Sequence, residues 1–177
     1  MGVQIGTKPD SGFDDPIGML VDCHRRIEHF LHILCVVVER ARGRTLNAEE
    51  REAVGAALEY FRVGGKRHNA DEEESLFPRL RAECPRGEAD QIGGLENDHQ
   101  HANESHGAVE ELYRKWIAAG RLATEEEELL ASGTEQLRRL YLEHIKIEEQ
   151  AVFPRAVRLL SRDAIEAMGA EFRARRR

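Results

Sequence analysis

Cysteine, proline and aromatic residues are all scarce in this sequence. Its 177 residues include three cysteines, five prolines and only 6% aromatic side chains. Cys23, Cys35 and Cys84 are odd in number and form no Cys-x-x-Cys pair, which argues against a disulfide framework or a zinc knuckle. With so little proline, the abundant Ala, Leu, Glu and Arg favour helices over sheets.

Long apolar runs and net positive charge are also missing. No stretch approaches the roughly 20 apolar residues of a membrane span, and Met1 to Gly12 lack the regions of a signal peptide. We therefore expect a cytoplasmic protein with no membrane partner. The formal net charge of −7 argues against a nucleic-acid partner. The basic end, Arg173 to Arg177, is expected to be a solvated helix end, with a contact to an acidic partner as the alternative.

Helical patterns cover most of the chain. Asp14-Asp15-Pro16 predicts the start of a first helix at about 16–42. A second helix is predicted from a capping box at Asn47 towards Phe77, and a third spans about 89–119. A fourth is predicted from a capping box at Thr124 towards Phe153-Pro154, and a short last helix runs from Ser161 to about 174. Gly64-Gly65 weakens the second helix, and Pro78 is expected to end or kink it.

Four long helices with short connections predict an all-α fold, an up-down-up-down four-helix bundle with a short C-terminal helix. The predicted organisation is a flexible N-terminal arm at 1–13, the bundle at 14–160, and a C-terminal helix with a basic end at 161–177. No linker within the bundle suggests a second domain.

An internal duplication carries the most specific pattern. His68-x-x-x-Glu72-Glu73 leads to Phe77-Pro78, and His144-x-x-x-Glu148-Glu149 leads to Phe153-Pro154, at an offset of 76 residues. The remaining two long helices match as well, because Leu20-x-x-x-His24 corresponds to Leu95-x-x-x-His99 at an offset of 75. Repetition makes a chance arrangement of surface His-Glu pairs a poor explanation.

The spacing predicts a buried site for two metal ions. Residues four apart lie on one helix face, so each His-x-x-x-Glu pair can point at a common ion. His24 and His99 fall at the same depth of the bundle as these pairs, about 12–15 Å from a shared end. Six ligands exceed the needs of one ion and suit two ions. The predicted terminal ligands are His24, His68, His99 and His144, and the predicted bridges are Glu72 and Glu148. Such ligands accept iron, manganese or zinc.

Other polar residues have simpler interpretations. Four histidines without an equivalent in the other half are expected at the surface or in ordinary packing: His29, His32, His101 and His106. Glu73 and Glu149 turn about 100° away from the proposed bridges, and are expected to be solvated or to support a ligand from behind. Tyr141, on the same face as His144, either packs or donates to a bound ligand. Cys23 is expected to be a buried thiol, with a redox role as the alternative.

The paired motifs resemble the hemerythrin-like family, also known as the HHE cation-binding domain, over about residues 14–158. The resemblance implies a non-haem centre of two iron ions joined by an oxo or hydroxo bridge. It also implies a small partner, namely oxygen, nitric oxide or peroxide, or a role in sensing or supplying iron.

This chain departs from the oxygen-carrying members of that family. Those proteins have a fifth histidine on the third helix, where this chain has Asn103, and Asn69 stands where relatives often have a further histidine. Glu28 is either an extra ligand or an acceptor that orients a histidine. The favoured function is therefore binding or sensing of a small diatomic or oxidant. Two alternatives stay open: metal-centred breakdown of peroxide or nitric oxide, and donation of iron to damaged iron-sulfur centres. The sequence predicts neither whether the protein is an enzyme nor its oligomeric state.

Overall fold

The chain is helical over most of residues 10–83 and 89–177, which the computed structural model describes. The α-helices are α1 (Pro16–Ala41), α2 (Ala48–Tyr60), α3 (Lys66–Asp71), α4 (Phe77–Glu83), α5 (Ala89–Ala119), α6 (Thr124–Ile147), α7 (Phe153–Leu159) and α8 (Arg162–Ala174). Phe61–Gly65, Glu72–Leu76 and Glu148–Val152 are π-helical and join α2 to α3, α3 to α4 and α6 to α7. Four long rods result, α1, α2–α4, α5 and α6–α7, and the predicted all-α bundle with a C-terminal helix is confirmed.

The first rod begins and ends where its sequence predicts. The Asp15 side chain accepts a hydrogen bond from the Gly18 amide at 2.9 Å, and Pro16 opens the first turn. Beyond the end of α1, Gly43 has a φ of 76°, a left-handed conformation that glycine adopts without strain. α1 packs against α2 and α6, while α5 packs against α6.

The second rod passes through Pro78, so the proline does not end the helix, which was one of the two outcomes predicted for it. The helix continues to Glu83 because a π-helical turn precedes the proline. The Phe77 amide donates to the carbonyl of Glu72, five residues back. This wider turn gives room to a ring that has no N–H to contribute. Pro154 follows Glu148–Val152 in the same way, so the duplication extends to backbone geometry.

The two capping patterns differ in detail. Asn47 and Glu50 form a complete capping box, with bonds of 2.8 and 2.9 Å between each side chain and the other's amide. In the second half the N-cap is Ala123 and not the predicted Thr124, because the Glu126 carboxylate accepts from the Ala123 amide at 3.1 Å. Alanine offers no side-chain acceptor, so only half of the box is formed.

Two apolar clusters fill the bundle, and a layer of buried polar side chains lies between them. The larger cluster is built from α1, α2, α5 and α6 and includes Leu34, Trp116 and Leu137. The smaller cluster lies near the Phe-Pro motifs and includes Phe77 and Phe153. Along α1, the buried His24 lies between Leu20 of the smaller cluster and Ile27 of the larger one.

Helix α8 closes the smaller cluster and corrects the prediction for the basic end. Its buried Met168 and Phe172 pack into that cluster. Arg175 and Arg176 are not simply solvated, because both pair with the fully buried carboxylate of Asp71, at 2.9 and 2.5 Å. Asp71 needs these cations, since an unpaired buried carboxylate is costly.

The predicted flexible arm falls mostly on residues 1–9, and the connection between the second and third predicted helices includes residues 84–88. Both segments lie outside the described residues. Within the rest of the arm, the Phe13 carbonyl lies so close to α8 that a Cβ on Gly169 would be 1.8 Å from its oxygen. The division into 1–13, 14–160 and 161–177 stays a prediction. None of the helices described here combines the length and apolar character that a membrane crossing requires.

Candidate metal centre

The two His-x-x-x-Glu motifs meet across the bundle at equivalent places on their rods. His68 lies in α3 and Glu72 opens the π-helical segment that follows, just as His144 lies in α6 and Glu148 opens the next π-helical segment. The spacing of four keeps each histidine on the face of its glutamate. His24 from α1 and His99 from α5 complete the set, so the structure brings together all six predicted ligand side chains.

All four histidines direct Nε2 towards the glutamates. The Nε2 atoms of His24 and His144 lie 3.0 and 3.1 Å from Glu148 oxygens. Those of His68 and His99 both lie 3.4 Å from Glu72 Oε2. His99 Nε2 and His144 Nε2 are 3.1 Å apart. The six side chains are between 0% and 3% exposed, so water has little access to the centre.

The six donors divide into two groups that share both glutamates. One group is His24, His68, Glu72 and Glu148, and the other is Glu72, His99, His144 and Glu148. Within each group the ligand atoms lie within 4.8 Å of one another. We call the first group pocket one and the second group pocket two. Shared carboxylates between two sets of two histidines are the arrangement that bridging ligands would have.

The donor set fits a pair of cations. None of the four carboxylate oxygens of Glu72 and Glu148 has a hydrogen-bond partner among the described residues, although all are buried. His24 Nε2 is likewise unpartnered. Buried polar groups are rarely left in this state, because each unmade bond costs free energy. Metal ions held by imidazole and carboxylate donors would satisfy these atoms.

The pKa values of the two glutamates shift in opposite directions. Burial, together with the charge of Glu148, raises the pKa of Glu72 well above its usual range. Burial also opposes ionisation of Glu148, but the charges of the nearby His144 and His24 imidazoles outweigh it and lower the pKa of Glu148. Without metal, Glu72 therefore tends to hold a proton that a bound cation would displace, so metal binding should release protons.

Carboxylates outside the centre hold three of the four histidines from behind. His24 Nδ1 lies 3.0 Å from Glu149, His99 Nδ1 lies 2.7 Å from Glu73, and His144 Nδ1 lies 3.3 Å from Asp98. Such contacts fix the tautomer and orientation of a ligating imidazole. Glu73 and Glu149 were expected to be solvated or supporting, and the structure places both in the supporting position.

The phenylalanines of the Phe-Pro motifs cover the histidines of the neighbouring rods. Phe153 stacks on His24, with ring centroids 5.3 Å apart and planes at 14°. Phe77 stacks on His99 at 6.2 Å, also at 14°. Each motif therefore supplies a ligand pair for the centre and an aromatic cover for a histidine from the other half.

A partly buried polar pair, Tyr141 and His106, lies on the larger-cluster side of the centre. Tyr141 packs one turn before His144, and its hydroxyl lies 3.0 Å from His106 Nε2. Burial lowers the pKa of His106 to about 4, so this imidazole is neutral near pH 7. Burial, with a smaller contribution from the charge of Glu72, raises the pKa of Tyr141. His106 was expected at the surface or in ordinary packing, and packing was one of two expectations for Tyr141. The bond between them was not predicted.

Two surface grooves reach this pair from different sides. One, of about 530 Å³, lies between the second and third rods and is lined by His106, Asn69, Asn103 and Glu73, among others. The other, of about 130 Å³, lies between α1 and α6 and is lined by Tyr141 and Glu28, among others. Asn103 is exposed and lines the first groove. Glu28 pairs with Arg25 at 3.0 Å and is not one of the six converging donors.

Sequence reasoning missed two carboxylates next to the proposed ligands: Asp98, which supports His144, and Asp71, which pairs with Arg175 and Arg176. Asp98 directly precedes His99, and this adjacency to a proposed ligand was the signal that could have singled it out. Asp71 directly precedes Glu72, but its equivalent in the other half is Ile147 and the repeat therefore gave no signal. His29, His32 and His101 are exposed, as expected.

Comparison with known proteins agrees with this geometry. Residues 15–156 match the family model described as hemerythrin HHE cation binding domain. No curated protein matches the chain significantly. The family match covers most of the chain and includes all six converging side chains. The family and the clustered His and Glu donors together support a non-haem metal-binding protein. The chain belongs to the hemerythrin HHE cation-binding domain family.

Proposed function

We propose that this protein holds two iron ions in pockets one and two and uses them to bind or sense a small diatomic or oxidant: oxygen, nitric oxide or peroxide. The observation that carries the proposal is the pair of donor groups that share the partnerless carboxylates of Glu72 and Glu148. The terminal ligands would be His24, His68, His99 and His144, with Glu72 and Glu148 as bridges.

Burial supports a small ligand. The six donor side chains are at most 3% exposed, and apolar clusters lie on both sides of them. A bulky substrate could not reach the donors without opening the bundle, whereas a diatomic molecule or peroxide could pass between side chains. Iron held by four protein ligands per ion would supply open coordination positions and electrons to such a ligand.

The third rod supports sensing or reactivity over reversible oxygen carriage. Asn103, where oxygen carriers have a further histidine, is exposed and faces the groove. Pocket two therefore gains no third imidazole from α5. Fewer protein ligands leave more positions for an exogenous molecule.

Metal analysis followed by anaerobic gas titration tests the proposal. We expect about two irons per chain after reconstitution, one for each donor group, and a new absorption band when the reduced protein meets oxygen or nitric oxide. A Glu72→Ala, Glu148→Ala double variant should lose both iron and the band. Glu110→Ala, which alters an exposed ion pair with Arg114, is the matched control. Protein that binds no iron, or an iron-loaded protein whose spectrum responds to neither gas nor peroxide, would contradict the proposal.

The Tyr141–His106 pair favours enzymatic breakdown of peroxide or nitric oxide as a second candidate. A buried hydroxyl bonded to a neutral imidazole can hold and pass a proton between the groove and the interior. We expect Tyr141→Phe to slow turnover by roughly 10²-fold or more, with iron content unchanged. Tyr60→Phe, which removes a hydroxyl bonded to the Cys23 carbonyl, is the control. Turnover equal to that of free iron would argue against an enzyme.

A further inference from the structure

The two pockets share both glutamates but differ in what stands behind their histidines. In pocket two, His99 Nδ1 lies 2.7 Å from Glu73 and His144 Nδ1 lies 3.3 Å from Asp98. Both imidazoles therefore have a carboxylate that can accept the Nδ1 proton. This contact keeps Nε2 free of hydrogen and makes it a stronger donor towards a cation.

Pocket one lacks one of these supports. His68 Nδ1 is buried and has no hydrogen-bond partner among the described residues. Asp98, which supports His144, directly precedes His99, and the residue that directly precedes His24 is Cys23. The Cys23 sulfur instead lies 3.8 Å from an Arg26 guanidinium nitrogen. A thiol at this position supplies no carboxylate to a neighbouring imidazole.

The second support of pocket one is shared with a cation. Glu149 lies 3.0 Å from His24 Nδ1, but the same carboxylate accepts two bonds from Arg25, at 2.9 and 2.8 Å. A carboxylate paired with a guanidinium has less negative charge to offer an imidazole. The residue at the position equivalent to Arg25 is the uncharged Gln100, so Glu73 has no such competitor at that place.

We propose that the two pockets bind iron unequally: pocket two fills first and holds its ion, while pocket one is the exchangeable site. The inference rests on the proposed function, because it needs both pockets to hold metal. Removing an outer carboxylate from a ligating histidine typically costs 10–100-fold in metal affinity. Pocket one, with one support absent and the other neutralised, should be weaker than pocket two by about that factor.

Anaerobic titration of the metal-free protein with Fe²⁺, against a competing chelator, measures the two affinities. We expect two steps separated by about 10–100-fold. His68→Ala should remove the weaker step and keep the tighter one, and His144→Ala should remove the tighter one. Two equal affinities, or a tighter step that is lost with His68, would overturn the inference while leaving the proposed function intact. Failure to bind any iron would overturn both.

Conservative variants behind the histidines test the cause. Asp98→Asn should weaken the tighter step by about 10-fold or more and leave the weaker step in place. Arg25→Gln places beside pocket one the same residue type that Gln100 provides beside pocket two. This variant should raise the iron affinity of the weaker step. Asp22→Asn is the matched control, because Asp22 accepts from the Ser11 amide and has no hydrogen bond to a histidine among the described residues. If Asp98→Asn changes both steps equally or neither, the supporting carboxylates do not set the difference.

Asp98 and Arg25 are partly exposed, so the Asp98→Asn and Arg25→Gln proteins should still fold. An unchanged helical circular dichroism signal and an unchanged urea midpoint of the metal-free protein would verify this. An affinity change accompanied by a lower midpoint would count as unfolding and against the inference.

Discussion

The two apolar clusters on either side of the metal layer are built differently. The larger one draws on α1, α2, α5 and α6, and it contains a buried hydrogen bond between two of the rods. The Tyr113 hydroxyl in α5 donates to the Leu34 carbonyl in α1 at 3.0 Å. The smaller one needs a helix from outside the duplication, since Met168 and Phe172 come from α8. The repeated helices therefore form the larger cluster by themselves, whereas the smaller cluster is complete only with α8.

This difference explains why the ion pairs of the buried Asp71 lie beside the smaller cluster. The smaller cluster is closed by Arg175 and Arg176 on the buried Asp71, which directly precedes the proposed bridge Glu72. The larger cluster has no comparable buried pair among the residues described. A disturbance of α8 should therefore reach the metal centre, whereas one of equal size in the larger cluster should mainly lower global stability.

The largest effect should come from Phe172→Ala. Phe172 is fully buried, so the cavity should cost about 3–5 kcal/mol of the free energy of unfolding. Hydrogen exchange in α8 should become fast and iron binding should weaken. Leu34→Ala, in the larger cluster, should cost about 2–5 kcal/mol with α8 still protected. Equal effects on iron binding would remove the distinction between the clusters. Arg162→Ala, at the exposed start of α8, is the control.

Removing both cations from Asp71 should have the next largest effect. Arg175→Gln combined with Arg176→Gln leaves a fully buried carboxylate without its partners, which should cost about 3 kcal/mol, less than for a fully buried pair because the arginines are partly exposed. Asp71→Asn added to the double variant should recover part of the loss. Urea denaturation measures both steps. A loss that Asp71→Asn does not reduce would mean that the arginines act through packing.

A pH-dependent loss of stability is expected on the larger-cluster side. His106 titrates at about 4 in the folded protein, against about 6.5 in an unfolded chain. The unfolded state therefore takes up a proton first, and stability falls as pH drops from about 6.5 to about 4, by about 2–3 kcal/mol. His106→Leu, which copies Leu31 from the equivalent position, should lack this part of the decrease. Parallel curves of stability against pH for the two proteins would contradict it.

The smallest effect should come from Tyr113→Phe. The variant loses the bond to the Leu34 carbonyl and the contact with the Thr134 hydroxyl at 3.2 Å, for about 1 kcal/mol. Iron binding should not change, because the residue lies in the larger cluster. Thermal melting of the apo and iron-loaded forms measures the loss of stability in each form. A lower Tm found only in the iron-loaded form would contradict the expectation.

The six converging donors could be predicted from sequence because helical spacing and repetition constrain them twice. His68 and Glu72 are one turn apart whatever the tertiary structure, and their copies at His144 and Glu148 limit chance agreement. The contacts of Asp98 and Asp71 depend on how rods and α8 pack, which no local spacing encodes. The passage of the helix through Pro78 was also hidden, since nothing in residues 72–76 distinguishes a π-helical turn from an α-helical one.

The π-helical turns matter to anyone who would transplant this centre onto an idealised bundle. In a regular α-helix the fifth residue after a glutamate lies about 140° around the axis, whereas the i→i+5 ladder brings Phe77 and Phe153 back above Glu72 and Glu148. A design that copied the six ligands and the native spacing onto straight helices would keep the donors and lose both aromatic covers. It would need the wider turns as well, or each phenylalanine placed one position earlier.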